Sequence, residues 1–235
     1  SSSAEYPKKN YTIRLYTDEA HETNEAHAFR DWKPHHHFVL RANYLDHSQL
    51  RDWLGAQLWS EAAARRALPQ ELRASSNFGA SDAFPVKLYV NGIYQGVYTW
   101  TIPKSAWQWN MDDENPNHAL LCAEINSGSS LTETPCNFRT LWNGVDGEAW
   151  SVIAGQNSET LKNSLNALIS CIKDSDDETF KEHITDHLDV QSALDYFIHQ
   201  YVICGVDGMA KNMLLATYDG TIWHCGANDM DRSFG

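Results

Sequence analysis

Two short segments of this 235-residue chain carry oxygen-bearing side chains at informative spacing. Asp207-Gly208-Met209-Ala210-Lys211-Asn212 sets an Asp and an Asn five apart, and Asp229-Met230-Asp231-Arg232-Ser233-Phe234-Gly235 brings a doubled carboxylate. Between them two apolar runs, Met213–Thr217 and Thr221–Cys225, flank Asp219-Gly220, the pattern of a β-hairpin. A tight hairpin joins its open ends, so Asn212 and Asp229 are expected to meet despite their separation in sequence. Phosphoryl transfer uses these parts: an Asp that orients or deprotonates the attacking hydroxyl, and an Asn and a carboxylate that hold a divalent cation against nucleotide phosphates. Hard oxygen donors suit Mg²⁺ or Mn²⁺ and not zinc. Asp207 is thus the candidate catalytic residue, and Asn212, Asp229 and Asp231 are the candidate metal ligands. Taken singly, the same residues have plainer uses: Asp207 capping a turn, Asn212 opening a strand, the Asp pair facing solvent.

Such a site also needs a cation on the phosphates, held by an acid. Lys9, just before the first predicted strand, and Arg14, on its polar face, are the candidates, with Glu61 as the acid; solvated surface charge is the alternative for all three. Arg41 and Asn43 sit where a strand passes into a helix, a position suited to ligand contact or to loop hydrogen bonding. Other chemistries find less support. His35-His36-His37 would alternate faces on a strand, and no H-E-x-x-H, G-x-S-x-G or Walker-type glycine loop occurs. Trp107 and Trp109 read as core or lobe-interface residues.

The elements that would position these groups follow from periodicity. Tyr11–Tyr16 and Phe38–Ala42 read as strands around an irregular, acidic and His-rich loop, and Asp46-His47-Ser48-Gln49 as a capping-box helix start. That helix is expected to run until Pro69 with Leu50, Trp53, Leu54, Gln57, Leu58 and Glu61 on one face. Asn91-Gly92 between Val86–Val90 and Ile93–Trp100 predicts a hairpin, and Leu120–Ala123 a short strand. Ser158 caps a helix with Leu161, Leu165, Leu168, Ile169 and Ile172 inward; Phe180 and Ile184 mark a short one; Asp189 caps another with Leu194, Phe197, Ile198, Tyr201 and Val202 inward and Gly205 as its stop. Sheet first and helix later gives an α+β class in two lobes: a sheet-rich part over 1–103, an irregular connection over 104–157 and a helical part with the closing hairpin over 158–235.

Charge and composition narrow the partners. With 18 basic against 31 acidic residues the formal charge is −13, which repels nucleic-acid backbone and anionic lipid, although a small basic cleft is compatible with it. The chain has no apolar run long enough to span a membrane, and its opening Ser1–Tyr6 lacks signal-peptide features. Five cysteines without paired spacing read as reduced, mostly buried thiols, with a Cys122–Cys136 bridge as the alternative for an exported protein.

The catalytic-loop, hairpin and terminal-Asp order is also that of protein kinases, here with Val206 before the loop Asp and Phe234-Gly235 further from Asp229. More specifically, Asp207…Asn212 followed by Asp229–Gly235 resembles the CotH kinase family, named for spore-coat protein H. Ser2–Leu15, Leu40-Arg41-Ala42-Asn43-Tyr44-Leu45-Asp46-His47-Ser48-Gln49-Leu50-Arg51 and Val90-Asn91-Gly92-Ile93-Tyr94-Gln95-Gly96-Val97-Tyr98 are similar to further segments of it, in the same order. The family's Arg-Gly motif ahead of Ser2 is not in the chain, which stops at Gly235, so the resemblance implies one domain over 1–235 cut at both ends; separately, Asn228 stands where members often have Trp. It further implies an atypical protein-kinase-like fold, ATP with Mg²⁺ or Mn²⁺ as cofactors, and Ser or Thr of a protein partner as acceptor; the compartment stays open between cytoplasmic and surface- or coat-associated. The alternatives are a catalytically silent binding module, as in an adhesin, coat or phage assembly component, and a Mg²⁺-dependent phosphohydrolase.

Overall fold

In a computed structural model, residues 5–75, 77–124, 136–209 and 211–235 are described. The fold is mixed α/β, built on two four-stranded antiparallel sheets. The first has the order β1-β2-β4-β3, from Tyr11–Arg14 (β1), His37–Arg41 (β2), Ala83–Val90 (β3) and Ile93–Thr101 (β4). Between β3 and β4, Asn91 and Gly92 both take left-handed φ, +50° and +80°, and Val90 faces Ile93, as the Asn-Gly turn predicts. The second sheet has the order β6-β5-β7-β8, from Ala119–Ala123 (β5), Trp150–Ala154 (β6), Leu214–Thr217 (β7) and His224–Gly226 (β8). Residues 104–157, expected as an irregular connection, therefore supply two strands of this sheet. Only the one near Leu120 had a clear pattern.

The helices are α1 (Arg51–Ala63), α2 (Gln70–Arg73), α3 (Ala106–Trp109), α4 (Glu159–Asp174), α5 (Asp177–His183) and α6 (Val190–Val202). Among the described residues none is long and apolar enough to cross a membrane. Ser158 caps α4, accepting from the Leu161 N–H, and the predicted stripe Leu161, Leu165, Leu168 and Ile169 is buried. Asp189 caps α6 in the same way through Ser192 N–H.

Two helices turn a different face inward from the one their apolar residues predict. On α1, Leu50, Leu54, Leu58 and Glu61 are exposed, whereas Asp52, Gly55, Ala56, Trp59, Ser60 and Ala63 are buried. On α6, Leu194, Phe197, Ile198, Tyr201 and Val202 are exposed, and Ser192, Tyr196, His199 and Gln200 are buried. The reason is the tight contact between these helices and the closing segment, which favours small or hydrogen-bonding residues. A Cβ on Gly55 would lie 2.8 Å from Met230 Sδ, and His199 Nε2 lies 2.8 Å from the Gly55 carbonyl. Arg66 pairs with Asp195 at 2.9 Å and its guanidinium covers Trp59. The helix start also differs: Asp46 accepts from Ser48 N–H and Arg51 N–H in the turn before α1 and does not itself begin it.

The outer edge of β8 is tied to α6 and its lead-in. Cys225 N–H donates to Ser192 Oγ, Trp223 N–H to the His187 carbonyl, and His224 Nδ1 lies 2.9 Å from Asp189 Oδ2. Cys122, Cys171 and Cys225 are buried free thiols and Cys204 is an exposed one. The Cys136 side chain, and with it the predicted Cys122–Cys136 alternative, lies outside the described residues, as do Ser1–Ala4 of the family-like opening.

On β8, the Cβ direction of Gly226 points into the buried ring of Trp109. Gly226→Ala overpacks this contact at a cost of about 1–3 kcal/mol, and should lower the thermal midpoint by about 2–4 °C for each kcal/mol in a chain of this size. A melting curve unchanged from the parent would show that the hairpin does not depend on this approach.

Candidate active site

The β7–β8 register places Leu214 opposite Gly226. Two residues before Leu214 and two after Gly226 stand Asn212 and Asn228, which line the same cleft, with Asp229 next. Asn212 N–H donates to the Ala123 carbonyl at 3.0 Å, extending the β5–β7 pairing to the loop. Asn212 and Asp229 both adopt left-handed backbone, φ +64° and +56°, a conformation that Asn and Asp accept more readily than other non-glycine residues. Asp207 opens a 3₁₀ turn, Asp207–Met209, in the loop that follows α6. Tyr196 Oη donates to the Gly208 carbonyl, and the buried Gln200 side chain packs where a Cβ on Gly205 or Gly208 would stand. Lys211 N–H donates to the Asp207 carbonyl, closing the loop.

These ends meet the first sheet across a cavity of about 560 Å³. Asp207, Asn212, Asp229 and Asp231 all line it, as do Val39, Arg41 and Asn43 from β2 and the loop after it. Lys9, Arg14 and Glu61 do not. Lys9 is exposed just before β1; Arg14 faces His37 at the far end of β1 and borders a separate hollow; Glu61 is exposed and pairs with Arg65 at 3.9 Å. The cations brought to the cavity are instead Lys8, Arg41, Lys104, Lys211 and Arg232. Five basic side chains against three acidic ones give this cleft a local positive surplus on a chain of charge −13, which suits a polyanionic ligand. Lys8 Nζ donates to the Ala42 and Val97 carbonyls, and Asn10 Oδ1 accepts from Ala42 N–H, so the segment after β2 is clamped from both sides.

One buried acid organises the carboxylate side of the cleft. Asp52, in the first turn of α1, accepts from Met230 N–H through Oδ1 at 2.9 Å and from Arg41 Nη1 through Oδ2 at 2.7 Å. The same Nη1 reaches Asp229 Oδ1 at 3.1 Å. Asp52, and after it Asp229 and Asp231, hold the Arg41 guanidinium firmly protonated. Burial, then Asp229 and Asp52, raise the Asp231 carboxyl from an ordinary 3.8 to about 6. Arg232 Nε stands 3.8 Å from Asp207 Oδ2.

No group of three or more His, Cys, Asp or Glu among the described residues forms a ready metal cage. The donor set nevertheless fits a hard divalent cation: one amide and two or three carboxylates, crowded enough to raise the Asp231 pKa, beside a cavity that admits phosphate and water oxygens. Magnesium is commonly held by one or two carboxylates plus phosphates and waters and not by an all-protein cage.

Asp52, Lys8, Lys104 and Lys211 had no motif to mark them. An acid on the closely packed face of a helix is the one signal that could have singled out Asp52. Asp52→Ala should cost about 3–5 kcal/mol, because it leaves Arg41 short of its buried partner and Met230 N–H without an acceptor. Asp52→Asn, which preserves that acceptor, should cost less; equal melting midpoints for the two would refute this account. Asp231 gives a pH test. Its folded pKa is raised, so its ionisation destabilises the fold, a penalty absent below pH 3.8 that grows as pH rises toward about 6 and is complete above it. In EDTA, Asp231→Asn should therefore stabilise the protein at pH 7.5 and leave it nearly unchanged at pH 3.5, as read from urea denaturation.

No curated protein matches the chain. The family described as CotH kinase protein matches residues 1–235, so the chain belongs to the CotH kinase family.

Proposed function

We propose that the chain is an atypical protein kinase that transfers the γ-phosphoryl group of ATP to a Ser or Thr hydroxyl of a protein. The observation that carries this reading is the convergence of Asp207, Asn212, Asp229 and Asp231 with five cations around one cleft. Residues of β2 and of the loops that flank the closing hairpin build that cleft, which supports treating 1–235 as one kinase-like unit. Asp207 orients the acceptor hydroxyl and takes its proton as the new O–P bond forms and the bond from the γ-phosphorus to the β,γ-bridging oxygen breaks, with ADP leaving. Asn212 and Asp229 hold Mg²⁺ or Mn²⁺, with Asp231 as a further carboxylate that binds it or orients Asp229. A cation held there would supply charge neutralisation for the phosphates. Lys104, Lys211 and Arg41 meet the phosphate charge from the protein side, and Lys8 fixes the strand end beside them. Membership of a kinase family supports the general chemistry, and the Ser or Thr protein acceptor is our proposal from the family resemblance.

Incubation with γ-labelled ATP, Mg²⁺ or Mn²⁺ and Ser- and Thr-containing protein acceptors tests this directly. Label should appear on hydroxyl side chains, and Asp207→Asn or Asp229→Ala should each cut the rate by roughly 100-fold or more. Transfer that survives both changes would refute the assigned roles. Absence of label together with a melting point unmoved by Mg²⁺ and ATP would point to the silent binding module.

A further inference from the structure

One atom, Arg41 Nη1, bridges Asp52 and Asp229, and its two contacts are unequal. The Asp52 carboxylate is 5% exposed, 2.7 Å away and fixed by Met230 N–H. Asp229 is 45% exposed, 3.1 Å away and borders the open cleft. The Asp52 contact is thus the anchored one and the Asp229 contact the exchangeable one. A cation entering to bind Asp229 meets a positive charge already seated on that carboxylate.

We infer that Arg41 is an internal counter-ion of the metal position. It neutralises Asp229 while the cleft is empty, so a divalent cation without phosphates binds poorly. When phosphates arrive with the metal, Arg41 gives up Asp229, keeps Asp52 and pairs with phosphate oxygen. This inference rests on the proposed role of Asp229 as a metal ligand. It adds that the site discriminates against metal alone and favours the joint arrival of metal and polyanion. Such coupling between two ligands commonly amounts to roughly 5–150-fold in affinity.

Asp52 sets the balance, and two variants should move it in opposite directions. In Asp52→Asn, Arg41 loses its anchoring charge and leans fully on Asp229. In Arg41→Met combined with Asp52→Asn, the pair is removed at constant net charge, Met230 N–H keeps an acceptor, and Asp229 is released. The probe is Mn²⁺ alone, without nucleotide, with the free ion followed by its electron paramagnetic resonance signal. Relative to the parent, Asp52→Asn should bind Mn²⁺ several-fold more weakly. The double variant should bind it about tenfold more tightly, and adding Asp229→Asn should abolish that gain. Melting curves identify folded variants, and the isosteric Asp52→Asn decides the matter if the double variant does not fold. Parent and variants binding Mn²⁺ alike at Asp229 would overturn the exchange and leave the metal role standing. No Mn²⁺ binding that depends on Asp229 in any of them would overturn both.

Discussion

A single carboxylate, that of Asp52, couples the two halves of the cleft. One of its oxygens grips the backbone of the closing segment at Met230 and the other grips Arg41 on β2. Both Asp229 and Asp231 flank the gripped residue, so their position relative to the first sheet is set by this one buried group. Burying a charge is costly unless every lone pair is engaged, and a buried pair loses most when one partner is removed. The arrangement therefore ties the carboxylates' placement to the packing of α1 on α6.

That packing explains why the two helices show an unexpected face. Leucines and aromatics at helical spacing normally mark the inward stripe, because burial of apolar area dominates helix docking. Here Gly55 admits Met230, His199 meets a carbonyl of the neighbouring helix, and Tyr196 holds the loop that carries Asp207. Close approach and backbone hydrogen bonds decide the inner face, leaving Leu54, Leu58, Phe197, Ile198 and Tyr201 on the surface. Periodicity could reveal that these helices exist but not which way they turn.

Local chemistry was far more legible. Asn91-Gly92 declares its turn because both residues tolerate positive φ, and Ser158 and Asp189 declare helix starts because their side chains replace a missing acceptor. The spacing from Asp207 to Asn212, and the hairpin leading to Asp229, could be read for the same reason: a two-stranded ribbon fixes the proximity of its ends. The cations could not. Lys8, Lys104 and Lys211 reach the cleft through tertiary placement, whereas Lys9, next to Lys8, and Arg14, at the remote end of β1, do not line it. Glu61 lies on the exposed face of α1, while Asp52, nine residues earlier, lies on the inner one.

The ties along β8 have a further consequence. Its strand lies at the margin of the second sheet, where unpaired amides ordinarily invite a strand from another molecule. Ser192 and the His187 carbonyl answer the N–H groups of Cys225 and Trp223, and Asp189 reaches His224, so the margin is already occupied from within. An invading strand would have to strip the start of α6 away before it could add to the ribbon. The ribbon whose two ends lead to Asn212 and to Asn228 and Asp229 is in this way insulated from intermolecular sheet growth.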